Sequence, residues 1–134
     1  MYVSIVDYGT GNLNSVSKAL EVAAEQINKK INIKISNNPK DILDSDKIIL
    51  PGQGSYRQCA LGVKNIPGLW DSLNEFVLIK KKPIFGICVG MQLFSEQGYE
   101  EQVTEGFGFF LTSTNSLRES HKPFIFLTPN AHCL

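Results

Sequence analysis

The sequence predicts an α/β fold: a mainly parallel sheet with helices on both faces. Three observations predict it. Short apolar runs rich in β-branched residues alternate with segments of helical period, in the order β-α-β-(α)-β-α-β-α. Three of those runs, YVSIV at 2–6, KIIL at 47–50 and PIFGI at 83–87, are nearly continuous in apolar character, as strands buried on both faces should be. Each of the three stops at a glycine-bearing turn, at Gly9, at Gly52 and around Cys88. In such sheets ligands gather at the carboxyl ends of the strands, so the three turns should share one rim.

Taken in order, residues 2–6 predict a buried strand and 7–11 a turn. Leu13, Val16, Leu20, Ala23 and Ile27 fall on one helical face, so 14–28 predicts a helix. Ile31, Ile33 and Ile35 alternate with Asn and Lys, which predicts a strand with one wetter face, near a sheet edge. Asn37-Asn-Pro39 turns the chain, and 41–44 fits a short helical turn. After the strand at 47–50, a short helix is predicted over 56–63. A longer one follows over 69–81, with Leu69, Leu73, Phe76 and Val77 on one face. The strand at 83–87 leads into a helix over 89–95. Beyond Gly98 the pattern weakens. Residues 106–111 predict the start of a strand, 112–120 are polar without period, and 123–127 are short and apolar. No repeat or domain linker is evident.

A chain of 134 residues suffices for one domain with a core. Its 13 basic and 13 acidic residues cancel, which argues against a general electrostatic grip on nucleic acid or an anionic membrane. The one basic run, Lys80-Lys81-Lys82, stands where a helix should end, and cations there complement the helix dipole. No apolar stretch approaches a membrane span, and the amino terminus lacks the pattern of a secretory signal. Cys59, Cys88 and Cys133 are odd in number and far apart, so neither a disulfide framework nor a zinc site is expected, and a reducing cytoplasm is the natural setting. His121 and His132 are too few and too poorly spaced to suggest a metal. No cofactor is expected.

The chemistry centres on GICVGMQ at 86–92. A strand running into Gly-x-Cys-x-Gly and then a helix is the nucleophile-elbow arrangement, with Cys in place of Ser. The tight turn projects the side chain at the rim, and Gly86 and Gly90 let neighbouring backbone approach. Val89 offers its N–H to a developing oxyanion, and the helix that begins there puts partial positive charge at the sulfur. The competing reading is that Cys88 is a small core hydrophobe, since unpaired Cys is often buried. The turn Pro51-Gly-Gln-Gly-Ser55 can present the other half of an oxyanion hole, or it is an ordinary strand-to-helix turn. Gly9-Thr-Gly11 only begins a dinucleotide fingerprint. Asn14 stands where the third glycine belongs, which disfavours a flavodoxin-like nucleotide binder.

Four segments together resemble the class I glutamine amidotransferases. They are IVDYGTGNLNSVSKAL at 5–20, ILPGQGSY at 49–56, PIFGICVGMQLF at 83–94 and EGFG at 105–108. The opening DYGTGN points within that family to the histidine-biosynthesis branch, the glutaminase subunits of imidazole glycerol phosphate synthase. The likeness covers about residues 1–110, and 111–134 reads as an atypical tail on a partial domain. The resemblance implies a flavodoxin-like sheet that lacks its carboxyl-terminal part. It implies glutamine as substrate and Cys88 as nucleophile. The N–H groups of Gln53 and Val89 would form the oxyanion hole, Gln53 after a peptide flip, with Gly52 and Gly54 shaping that loop. Gln92 would contact the amino-acid end of the substrate, and Glu100 its ammonium. Ammonia would pass to a separate barrel-shaped cyclase subunit, with Asn12 on the docking surface; a plain Gly/Asn turn is the alternative there.

One departure matters. The family draws its base, a His oriented by a Glu, from a His-Pro-Glu motif, and this sequence has none. His121 is followed by Lys-Pro and His132 by Cys-Leu. Three explanations compete: a fragment with a foreign tail, a homologue that binds without cleaving, or His121 or His132 standing in as base. A non-catalytic partner-binding module and another Cys-elbow hydrolase are the alternatives to a glutaminase. A truncated sheet would also expose strand edges and apolar helix faces, so marginal stability is expected.

Overall fold

In the computed structural model the described residues are 1–100 and 102–109, with the backbone alone of 124–127. The predictions for 110–123, including His121, and for 128–134, with His132 and Cys133, lie outside them.

The fold is the expected one. Four strands, β1 (Tyr2–Val6), β2 (Asn32–Ser36), β3 (Lys47–Leu50) and β4 (Ile84–Ile87), pair in parallel in the spatial order β2-β1-β3-β4. A short hairpin of β5 (Gln97–Gly98) and β6 (Thr104–Glu105) lies apart from this sheet. β7 (Phe124–Leu127) adds to β4 antiparallel, Phe85 opposite Phe126. β2 is an edge strand with no fully buried residue, as its alternation predicted.

The helices are α1 (Leu13–Gln26), α2 (Pro39–Asp44), α3 (Tyr56–Lys64), α4 (Leu69–Asn74) and α5 (Val89–Gln92). They divide between the faces of the sheet. On one face, Val6, Ile48, Leu50 and Ile84 pack with Ile42 of α2, Cys59, Ala60 and Val63 of α3, and Leu69 and Leu73 of α4. On the other, Val3, Ile5 and Ile49 meet Leu13, Val16 and Leu20 of α1. The starts of α1, α2 and α3 carry side-chain caps. Asn12 Oδ1 accepts from Ser15 N–H (3.2 Å), Asn38 caps α2, and Ser55 and Gln58 form a reciprocal capping box on α3.

Four expectations need correction. The helix predicted over 69–81 is α-helical only to Asn74 and continues as a π-helical turn, Glu75–Ile79, which leaves Ile79 75% exposed. The helix predicted over 89–95 is one turn long; beyond Gln92 it tightens to i+3 bonds, Phe94 N–H to Met91 O and Ser95 N–H to Gln92 O. Residues 106–109 form no strand. Gly106 is wedged against the Ser95 carbonyl and Gly108 has φ +67°, while Phe107 stacks on Trp70 with ring centroids 3.8 Å apart. The lysine run caps a neighbouring helix rather than its own. Lys80 Nζ donates to Leu43 O (3.0 Å) and Lys82 Nζ to Ser45 O (2.7 Å), both at the carboxyl end of α2.

Candidate active site

The three glycine turns do share one rim. Asn12, Pro51, Gly52, Gln53, Gly54, Cys88 and Val89 line a single groove of about 640 Å³, walled by Val16 and Leu20 of α1 and floored by Ile49, Phe85 and Ile87.

Cys88 is exposed and has φ 52°, ψ −121°. A residue with a Cβ rarely adopts that backbone, which costs about 1–3 kcal/mol and persists only where the surroundings impose it. The surroundings are β4 on one side, α5 on the other, and close backbone contacts below. A Cβ on Gly90 would lie 2.8 Å from the carbonyl carbons of Leu50 and Pro51, and one on Gly52 would lie 2.9 Å from the carbonyl carbon of Val89. Only glycine at both positions lets the turn after β3 press against the elbow after β4. Gly86 is constrained likewise, by Met91 Cα and the Phe94 ring. The core-filler reading of Cys88 fails on its exposure. Cys59 is the buried one, with no accessible surface.

Val89 opens α5, so its N–H has no acceptor within that helix. Gln53 N–H donates to Thr10 Oγ1 (3.1 Å). Gly54, at φ +96°, carries the chain from that turn into α3. The Gln92 side-chain oxygen is buried without a protein hydrogen-bond partner, an unmet acceptor one helical turn from Cys88. Glu100 Oε2 accepts from Tyr56 N–H (3.0 Å), which sets a carboxylate at the start of α3, directly after the 51–54 turn. Asn12 stands on the groove wall as the cap of α1, so it has a local structural role there whatever else it does.

Two further residues of this rim, not among the candidates read from the sequence, hold the turn after β3. Tyr8 is buried, and its hydroxyl donates to Pro51 O, tying the loop after β1 to the turn after β3. Burial pushes the Tyr8 phenol well above its ordinary range, with the neighbouring Cys59 adding to the shift, so it stays a donor. Thr10 holds Gln53. Both stand in the opening DYGTGN segment, but their partners are more than 40 residues away in sequence. Among the described residues no group of His, Cys, Asp and Glu could hold a metal ion, and no helix is long and apolar enough to cross a membrane.

Known proteins give this geometry a family. The profile of the family described as "Glutamine amidotransferase class-I" matches residues 4–124. Among curated proteins, the "Imidazole glycerol phosphate synthase subunit HisH" of Pelagibacter ubique is 40% identical over 124 residues, 92% of this chain and 58% of that protein. The protein of the same name from Brucella suis is 45% identical over 109 residues, 81% of this chain and 50% of that protein. The HisH 1 subunit of Campylobacter jejuni is 49% identical over 107 residues, 80% of this chain and 50% of that protein. The chain thus spans between 50% and 58% of the length of these relatives. With the elbow, the paired glycine turn and a family match over nearly its whole length, the chain belongs to the class I glutamine amidotransferases.

Proposed function

We propose that this chain carries the nucleophile half of the glutaminase site of an imidazole glycerol phosphate synthase glutaminase subunit, acting in histidine biosynthesis. The observation that carries this reading is Cys88, exposed and held at positive φ against the 51–54 turn. Its sulfur attacks the side-chain amide carbon of glutamine. Negative charge moves to the amide oxygen, where the N–H groups of Val89 and, once turned, Gln53 receive it. Collapse of that adduct breaks the C–N bond and releases ammonia, and water then hydrolyses the glutamyl thioester to glutamate. Gln92, at the end of α5 one helical turn from Cys88, serves the amino-acid end of the substrate. Glu100 supplies the carboxylate for its ammonium.

Ammonia departure needs a proton from a general acid, a role for which these 134 residues offer no His-Pro-Glu motif. The ammonia acceptor is a barrel-shaped cyclase subunit docking on the 7–12 loop. Support for this is the position of Asn12 on the same groove as Cys88.

The test is alkylation. A chloroketone analogue of glutamine should label Cys88 faster than the matching chloroketone lacking the amino-acid end, and free glutamine should protect. Equal labelling by both reagents, with no protection, overturns the glutamine reading and leaves a partner-binding module.

A further inference from the structure

Tyr56 is bonded to the site at both of its ends. It is buried, in the first turn of α3. Its N–H donates to Glu100 Oε2 (3.0 Å). Ser55 and Gln58 cap each other beside it, so the Glu100 carboxylate takes a donor that the capping box leaves over. At the far end of the side chain the Tyr56 hydroxyl lies 3.3 Å from Ser95 Oγ. Ser95 is fully buried, and its one proton goes to carbonyls, Gln92 O at 2.7 Å and Gln97 O at 3.3 Å. Tyr56 is therefore the donor in that pair, and burial, which raises its phenol above the ordinary range, keeps it one. Between the two ends, the ring is the seat of the β5–β6 hairpin. A Cβ on Gly98 would overlap the ring, and one on Gly106 would overlap its hydroxyl. Glu100 stands between those glycines in sequence, so the segment that carries the carboxylate rests on Tyr56.

We infer that Tyr56 is a positioning residue for the amino-acid end of glutamine: its N–H and its side chain together fix the spacing between Glu100, on the hairpin, and Gln92, at the end of α5. The inference rests on the roles given above to Gln92 and Glu100. Glu100 is held directly, through the N–H and the seated hairpin. Gln92 is held through Ser95, whose hydroxyl passes the bond from Tyr56 to the Gln92 carbonyl. Neither route includes Cys88 or the Val89 N–H, so losing the Tyr56 hydroxyl should weaken recognition and spare attack.

Tyr56→Phe, Ser95→Ala and the double variant of the full chain test it. Cys88 labelling is followed by mass spectrometry against the concentration of two reagents, the glutamine chloroketone and the matching chloroketone without the amino-acid end. Tyr56→Phe should raise the half-saturating concentration of the first about three- to tenfold, as loss of one hydrogen bond would, with its maximal rate unchanged. Ser95→Ala should do the same, and it carries the test alone if Tyr56→Phe does not fold. The double variant should be no worse than either single one, because the two hydroxyls form one relay. The truncated reagent and iodoacetamide should label wild type and variants alike. A rise shared by both chloroketones, or a lower maximal rate, would mean general loosening of the fold and would overturn the inference. So would an unchanged half-saturation in the single variants, or fully additive effects in the double one. If wild type itself does not distinguish the two chloroketones, the glutaminase reading fails and this inference with it. If wild type distinguishes them and the variants do so equally well, only the role of Tyr56 is lost.

Discussion

The turn at 86–90 and the turn at 51–54 stand side by side at one rim, yet different forces hold them. The elbow at Cys88 is fixed by contact. Backbone meets backbone at Gly86, Gly90 and Gly52, with no room for a single added carbon. The turn at 51–54 shares that contact at Gly52, but its Pro51 carbonyl, Gln53 N–H and Gln53 carbonyl are held by side-chain hydrogen bonds to Tyr8, Thr10 and Cys59 respectively. Steric confinement offers the chain one conformation and stores strain in it. Hydrogen bonding offers a preferred conformation and leaves a second accessible at the cost of one or two bonds. The elbow at Cys88 is therefore the sterically confined turn, while at 51–54 the Gln53 N–H and carbonyl are held by hydrogen bonds.

Substitutions can break that contrast at either turn. The largest effect should come from Gly90→Ala, which drives a methyl into the Leu50 and Pro51 carbonyls. We expect a loss of about 3 kcal/mol or more, enough to lower the melting temperature by roughly 10 °C. A melt unchanged within a degree would show that the elbow yields as readily as the other turn.

Next, Tyr8→Phe leaves the buried Pro51 carbonyl without its donor and should cost about 1–2 kcal/mol in urea melts. It should also change the response to alkali. The folded Tyr8 holds its proton above its ordinary value near 10, where the unfolded chain gives it up. Its contribution is thus fully present below pH 10 and lost as pH rises further. Tyr56 is shifted the same way, mainly by burial, so the variant should lose part of the alkaline decline and not all of it. An identical decline in both proteins would remove Tyr8 from the account.

The smallest effect has the opposite sign. Cys88→Gly should raise stability over Cys88→Ala by about 1 kcal/mol, because glycine alone adopts φ 52° without strain. Equal stabilities would mean that the elbow stores none.

These contrasts also explain what could be read from the sequence. The parallel sheet, the edge position of β2 and the common rim were legible because strand period and glycine placement are local signals. The elbow was legible because Gly86, Cys88 and Gly90 sit two residues apart along one turn. The π-helical turn at Glu75–Ile79 was not, since the face of Leu73, Phe76 and Val77 fits an uninterrupted helix equally well. Nor was the β5–β6 hairpin, whose strands are too short to show a period. The hydrogen bonds of Thr10 and Cys59 to Gln53 were hidden for another reason. Cys59 looks like any small apolar residue on the inner face of α3, and only the packing of α3 beneath the first loop gives its thiol a carbonyl to meet.

The contact between Tyr8 and Pro51 has a further consequence, in time rather than in space. It joins residues 43 apart, and the fit of Gly52 against Gly90 joins a third segment still later in the chain. During synthesis β1 must wait for β3, and both must wait for β4, before any part of the rim has its final shape. Such long-range parallel pairings form slowly. Cys88 therefore reaches its exposed, strained position only when the last of the three strands docks. A nascent chain carries Cys88 on ordinary backbone, and the elbow forms in a single concluding step.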